Sequence, residues 1–191
     1  MSSALVSHTV EELKKLTTEE LVALFKSLPS PSITEMDGEF AACLLQQPSS
    51  LSRLFGHISV ANPLMPWLCK AFRPVDAESG RGYNTFSLLG KVVQRFPMQT
   101  VIAPSRYDGN PAYTLVYHLY HSMCGDIHMV DEVRKVADGV YLGIGTWGFT
   151  RAQRQIPLPF LLEGPIGVYR KDIGRKRSGA VLAREIPALN R

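Results

Sequence analysis

Between Glu35 and Tyr169 apolar and polar residues alternate at period 2, with turn-forming residues about every dozen positions. A period of 2 sends successive side chains to opposite faces of a strand, so a chain patterned this way folds as half-buried β-strands. The spacing predicts strands over 37–46, 66–73, 82–88, 93–103, 112–123, 127–137, 140–149, 158–162 and 166–170. Asp108-Gly109-Asn110-Pro111 and Asp138-Gly139 supply reversals, because Gly and Asn tolerate positive φ, and Ser79-Gly80-Arg81-Gly82 reads as a loop. The stretch 48–62, with Leu51, Leu54, Phe55 and Ile58, is the exception and reads as a short helix.

Many short strands joined mostly by tight turns argue for an antiparallel sheet closed on itself. The predicted fold is mainly β, a single antiparallel calycin- or lipocalin-like barrel with a short N-terminal helical segment. In that segment Thr9-x-x-Glu12 and Thr17-x-x-Glu20 fit capping boxes, and Leu21, Leu24, Phe25 and Leu28 form an apolar stripe that Pro29 ends. The division expected is a helical prefix over 1–30, the barrel over 31–170 and a basic tail over 171–191.

Composition fits one ordinary domain: 191 residues, 45% hydrophobic and 20% charged, too apolar for disorder. No run of about 18 apolar residues offers a membrane span. The opening Met-Ser-Ser-Ala-Leu-Val-Ser-His has no basic flank, so the expected location is cytoplasmic. Cys43, Cys69 and Cys124 are odd in number and widely spaced, which suits reduced, mostly buried thiols. Residues 170–191 carry seven basic and two acidic side chains, while the rest of the chain is close to neutral. The tail could touch phosphates but has no interleaved aromatics for base stacking. It reads best as a solvated end, with no nucleic acid expected and a homodimer completed by the tail left open.

Strand parity sorts the candidate site. Over 127–136 the odd face carries Ile127, Met129, Asp131 and Val133, and the even face carries His128, Glu132 and Arg134. The odd face is apolar except for Asp131 and the terminal Lys135, so Asp131 sits where water is scarce. A carboxylate there must be paired or reluctant to ionise, which suits a general acid or base as well as a structural aspartate. With the faces inverted, His128, Glu132 and Arg134 would line the interior instead. A hairpin centred near Gly125 puts Leu119 opposite Asp131, with Tyr117 and His121 as diagonal neighbours. Tyr141, Gly143, Gly145 and Trp147 share one face of the next strand. The glycines read either as the floor of a ligand slot or as points of barrel curvature. There is no Walker loop, HExxH or GxSxG; His118 and His121 fall on opposite strand faces. No cofactor and no metal are expected.

The run Met129-Val130-Asp131-Glu132-Val133-Arg134-Lys135-Val136-Ala137-Asp138-Gly139-Val140-Tyr141-Leu142-Gly143 resembles the C-terminal part of a bacterial family of unknown function. That family pairs an Asp-x-Phe-Arg element with an N-terminal Gly-x-Trp-x-Gly motif. Asp131 and Arg134 match the first element, with Val133 in place of the aromatic. Gly38-Glu39-Phe40-Ala41-Ala42 stands for the second, with Phe for Trp and Ala for the last Gly. The resemblance implies a lipocalin-like barrel and no particular activity.

The leading expectation is a barrel that binds one small hydrophobic molecule, a fatty acid, a polyketide or a similar apolar metabolite. Its ligand-binding residues are Tyr117, Met129, Arg134, Tyr141, Gly143, Gly145 and Trp147. The alternative is a small cofactor-free isomerase, cyclase or lyase with Asp131 and His121 as acid/base residues. A third reading docks a partner on the basic tail and Ile156-Pro157-Leu158-Pro159.

Overall fold

The computed structural model describes residues 8–49, 61–62 and 65–189. Helices α1 (Val10–Leu13) and α2 (Thr18–Ser27) precede β1 (Gly38–Leu44), β2 (Ala61–Asn62), β3 (Met65–Pro74), β4 (Ser79–Leu88) and β5 (Lys91–Pro104). There follow β6 (Pro111–Val116), α3 (Met123–Asp126), β7 (Val130–Ala137), β8 (Val140–Thr146), β9 (Leu158–Gly167) and α4 (Leu182–Glu185). The strands run in the order β1-β9-β8-β7-β6-β5-β4-β3, and β1 also pairs with β3. That last pairing closes an eight-stranded ring, antiparallel throughout, with β2 as a short addition on β3. Register shifts in β1, β3, β4 and β7 supply the bends that closure needs.

The expected strands are present with shifted limits. The stretches 158–162 and 166–170 are one strand, β9, and the expected loop at 79–82 already belongs to β4. Ile156-Pro157-Leu158-Pro159 leads into β9 and so serves the barrel itself. Strand 112–123 stops at Val116, because the chain turns and Ser122 caps α3 with its hydroxyl on the Gly125 N–H. Most of the helix expected over 48–62 lies outside the described residues, and Ala61–Asn62 are strand.

One side-chain cluster faces into the lumen. It includes Phe40, Phe72, Met98, Tyr113, Val133, Tyr141 and Leu162, and Ile33 and Met36 join it at the Gly38 end. These two residues plug that end before β1 begins. At the opposite end Leu44, Trp67, Phe96 and Met129 are only partly buried against the cluster.

The outside of the ring is covered in two places. Both capping boxes form, and Leu13, Leu21 and Phe25 pack on Leu142, Ile144 and Leu161. On the other side Ile186 with Ala180 and Leu182 covers Val101, Val116 and Tyr120. The tail is therefore docked and not a solvated end: Lys176 bridges to Tyr120, and the Arg177 N–H donates to the Leu119 carbonyl at 2.8 Å. The three cysteines are free thiols. No helix among the described residues is long and apolar enough to cross a membrane.

Candidate functional site

Strands β3 and β7 are four places apart in the eight-strand ring, so their inward side chains face each other across the lumen. Lys70 projects from β3, with Phe40 and Asn84 as its cross-strand partners. Asp131 projects from β7, opposite Leu115 on β6 and Gly145 on β8. Lysine has the reach to span a lumen of this size, and the two charges meet with Lys70 Nζ 2.8 Å from Asp131 Oδ2. Both are removed from water, at 3% and 2% exposure.

The lysine ammonium has three N–H donors, and each has an acceptor: Asp131 Oδ2, Tyr117 Oη at 2.6 Å and Asn84 Oδ1 at 3.0 Å. The Tyr117 hydroxyl donates to Asp131 Oδ2 at 2.9 Å and accepts from Asn84 Nδ2 at 3.3 Å. Trp67 Nε1 donates to Asn84 Oδ1 at 3.1 Å. Aromatic rings wall the cation, with Nζ 5.1 Å from the Trp67 and Phe160 centroids and 5.3 Å from that of Tyr117. Burial and the Asp131 charge hold the Tyr117 hydroxyl far above its ordinary pKa, so it stays protonated. Both hydrogen bonds to Asp131 end on Oδ2. Oδ1 points over Gly145, where an added Cβ would lie 2.8 Å from it.

No family model and no curated protein matches the chain. Among solved structures it is similar to a crystal structure of a protein from Thermomonospora curvata. The identity is 15%, the TM-score 0.46, and the alignment covers 74% of this chain and 82% of that one. The barrel assignment rests on the strand pairing itself.

The predicted site residues divide into those the lumen gathers and those it does not. Asp131 and Tyr117 meet, although through a different register. Leu115, not Leu119, lies opposite Asp131, and the Tyr117 N–H reaches the Met129 carbonyl. Met129 lies partly buried at the end of the lumen opposite Gly38. His121 does not join them. It is exposed on the turn after β6, and its backbone N–H bonds the Arg175 carbonyl.

Arg134 lies on the outer face of β7, bonded to Asp108 beneath α2, because parity places it opposite to Asp131 and Val133. That outer face is shielded from solvent. Glu132 and Arg134 are 1% and 0% exposed, since residues 105–110 and the helical prefix cover them. Tyr141 sits deep in the lumen with its hydroxyl on Glu35 Oε1. The slot expected over Gly143 is occupied. The Phe160 ring stands there, and a Cβ on Gly143 would fall 2.1 Å from its Cζ. Gly145 makes room for Asp131, and Trp147 lies half-buried beyond the end of β8.

Sequence reasoning missed Lys70, Asn84, Trp67 and Phe160. A signal for Lys70 existed: it is the lone charge in the apolar run Trp67-Leu68-Cys69-Lys70-Ala71-Phe72, just as Asp131 is on its own face.

Proposed function

We propose that the barrel binds one small, mainly apolar molecule, of the fatty-acid or polyketide kind. It enters at the Trp67 end and sets a single polar group against the Lys70–Asp131–Tyr117–Asn84 network. The observation that carries this reading is the ion pair in the lumen. Withdrawing two charges from water costs several kcal/mol per ion, and an apolar pair of similar volume is often at least as stable. Tyr117 in the same network, its hydroxyl pushed up by burial and the Asp131 charge, is the kind of perturbed group that clusters at functional sites. A mostly apolar chamber with a few placed polar groups is the usual design of a small-molecule pocket. Leu44, Trp67, Phe96 and Met129, partly buried at that end, offer an apolar rim for such a molecule.

The resemblance to the bacterial barrel family is part of the same proposal, and two positions support it. Gly38 has φ +119, and a Cβ there would lie 2.6 Å from the Gly167 carbonyl oxygen, so only glycine fits without strain. Phe40, at the position of the motif's tryptophan, lies directly across from Lys70.

Native mass spectrometry of protein purified without denaturation tests the reading. The expected spectrum carries a discrete extra mass that denaturation releases, and the Lys70→Met/Asp131→Leu double variant loses it while keeping its circular dichroism. Wild-type protein that is free of any such mass and does not take up a fluorescent fatty-acid analogue would refute it.

One observation favours a second reading, an acid/base enzyme acting on such a ligand. The Tyr117 hydroxyl, kept protonated, lies within hydrogen-bond reach of both a cation and a carboxylate. On that reading Asp131→Asn keeps affinity for the molecule and abolishes its conversion.

A further inference from the structure

Outside the lumen, three side chains with metal-binding atoms meet, and the ligand-binding role leaves them unused. His118 follows β6, His128 precedes β7, and Glu185 ends α4. One ligand atom of each lies within 4.8 Å of the other two. His128 Nδ1 is 2.9 Å from Glu185 Oε2, and the rings of His118 and His128 stack with centroids 4.1 Å apart.

His118 Nδ1 is 2.8 Å from the Gly125 carbonyl oxygen. A carbonyl only accepts, so Nδ1 carries a hydrogen, and in the neutral ring that leaves the Nε2 lone pair for a metal. A histidine that binds a metal is held by this kind of bond through its other nitrogen. The backbone on either side is fixed as well. The Arg177 Nε–H donates to the His118 carbonyl at 3.0 Å, and Ile186, next to Glu185, is buried against the barrel wall. His128 itself holds φ +51, an uncommon conformation for a residue other than glycine, and its ring lies over that of His118.

We propose that His118, His128 and Glu185 bind one divalent transition-metal ion, of which zinc is the representative, and that the ion staples the C-terminal segment to the barrel rim. Two imidazoles and a carboxylate suit zinc, and three protein ligands leave a fourth position for water. Zinc bonds of about 2.0–2.2 Å in a tetrahedron set ligand atoms roughly 3.4 Å apart. The cluster therefore contracts by about an ångström and a half at most, and the stacked rings turn out of parallel, since imidazole lone pairs lie in the ring plane. Both histidines are half-buried. The staple ties Glu185 to residues far back in the chain. His118 adjoins Tyr117 and His128 adjoins Met129, so the ion sits one peptide from the lumen wall.

The test uses the full chain stripped with chelator, titrated with zinc chloride by calorimetry, with metal content measured after gel filtration. The expected result is one zinc per chain. His118→Ala, His128→Ala and Glu185→Ala should each weaken binding by about 10-fold or more. Glu185→Gln, which keeps the shape of the tail, guards against loss through misfolding and should weaken binding with unchanged circular dichroism. Zinc should also slow proteolysis within 178–189 in the wild type and not in Glu185→Gln. Absence of zinc uptake, or stoichiometric uptake that survives all the substitutions, overturns the proposal.

Discussion

Asp131→Ala is expected to lower the melting temperature by about 6–20 °C, because it strands the Lys70 ammonium in the lumen. Removing one partner of a buried pair costs about 3–5 kcal/mol. In a domain of this size each kcal/mol moves the midpoint by about 2–4 °C. Asn84 and Tyr117 still accept from Lys70 Nζ after the substitution, so the charge is solvated in part but no longer neutralised. The Lys70→Met/Asp131→Leu double variant removes both charges and should recover most of the loss, since apolar replacement of a whole buried pair is commonly neutral or better. Asp131→Asn should fall between the two, keeping an acceptor without the charge. Thermal melts of the four proteins at one pH decide the matter. Equal destabilisation by the single and double variants would mean that shape, not charge pairing, holds this layer together. If the double variant melts like the wild type yet no longer carries a small molecule, the ion pair serves binding and not folding.

The sequence exposes half of that pair, and the reason is geometric. Alternation along 129–135 marks Asp131 as the odd polar residue on an apolar face, and faces survive errors in pairing. The expected hairpin was four residues out of register, Leu119 for Leu115, and an even slip leaves every side chain on its own face. Tyr117 therefore still met Asp131. His121 did not, because its place on the apolar face required strand to continue past Val116, where Ser122 instead caps a short helix. Lys70 was not assigned because its partner is four strands away around the ring, and no local spacing encodes a contact across a lumen. Gly143 reads as the floor of a ligand slot or as a point of curvature, and the eleven residues 147–157 between β8 and β9 leave open which side chain stands over it. The answer is its cross-strand neighbour Phe160. The cluster of His118, His128 and Glu185 was invisible for the same reason as Lys70, since Glu185 arrives from the docked tail.

Arg134 is the second position where one substitution should have a large effect, and here the role is architectural. Its guanidinium has five N–H donors and uses all five. Nη1 and Nη2 grip Asp108 at 2.7 Å each, Nη1 also donates to the Phe25 carbonyl, Nη2 to Asn110 and Nε to Pro111. The Phe25 carbonyl lies in the last turn of α2, where it also accepts from the Leu28 N–H, and the Phe25 ring lies 4.7 Å from the guanidinium carbon. One side chain thus joins α2, the 105–110 turn and β7. Arg134→Ala should cost about 3–5 kcal/mol, for the same reason as loss of Asp131. Arg134→Lys should recover little, because a lysine lacks the planar fork. The helical prefix should loosen first, seen as faster amide exchange at Leu21–Phe25 with β8 and β9 still protected. The acid limb gives an independent check. Arg134 holds the Asp108 carboxyl below its ordinary pKa, so the folded state binds that proton more weakly than the unfolded chain. The pair's contribution is complete above the ordinary carboxylate value and drains away as pH falls through the depressed one. Arg134→Ala should therefore flatten that part of the stability curve between about pH 5 and pH 2. If the variant keeps the wild-type acid limb and prefix protection, the Arg134–Asp108 fork is not what fastens α2 to the barrel.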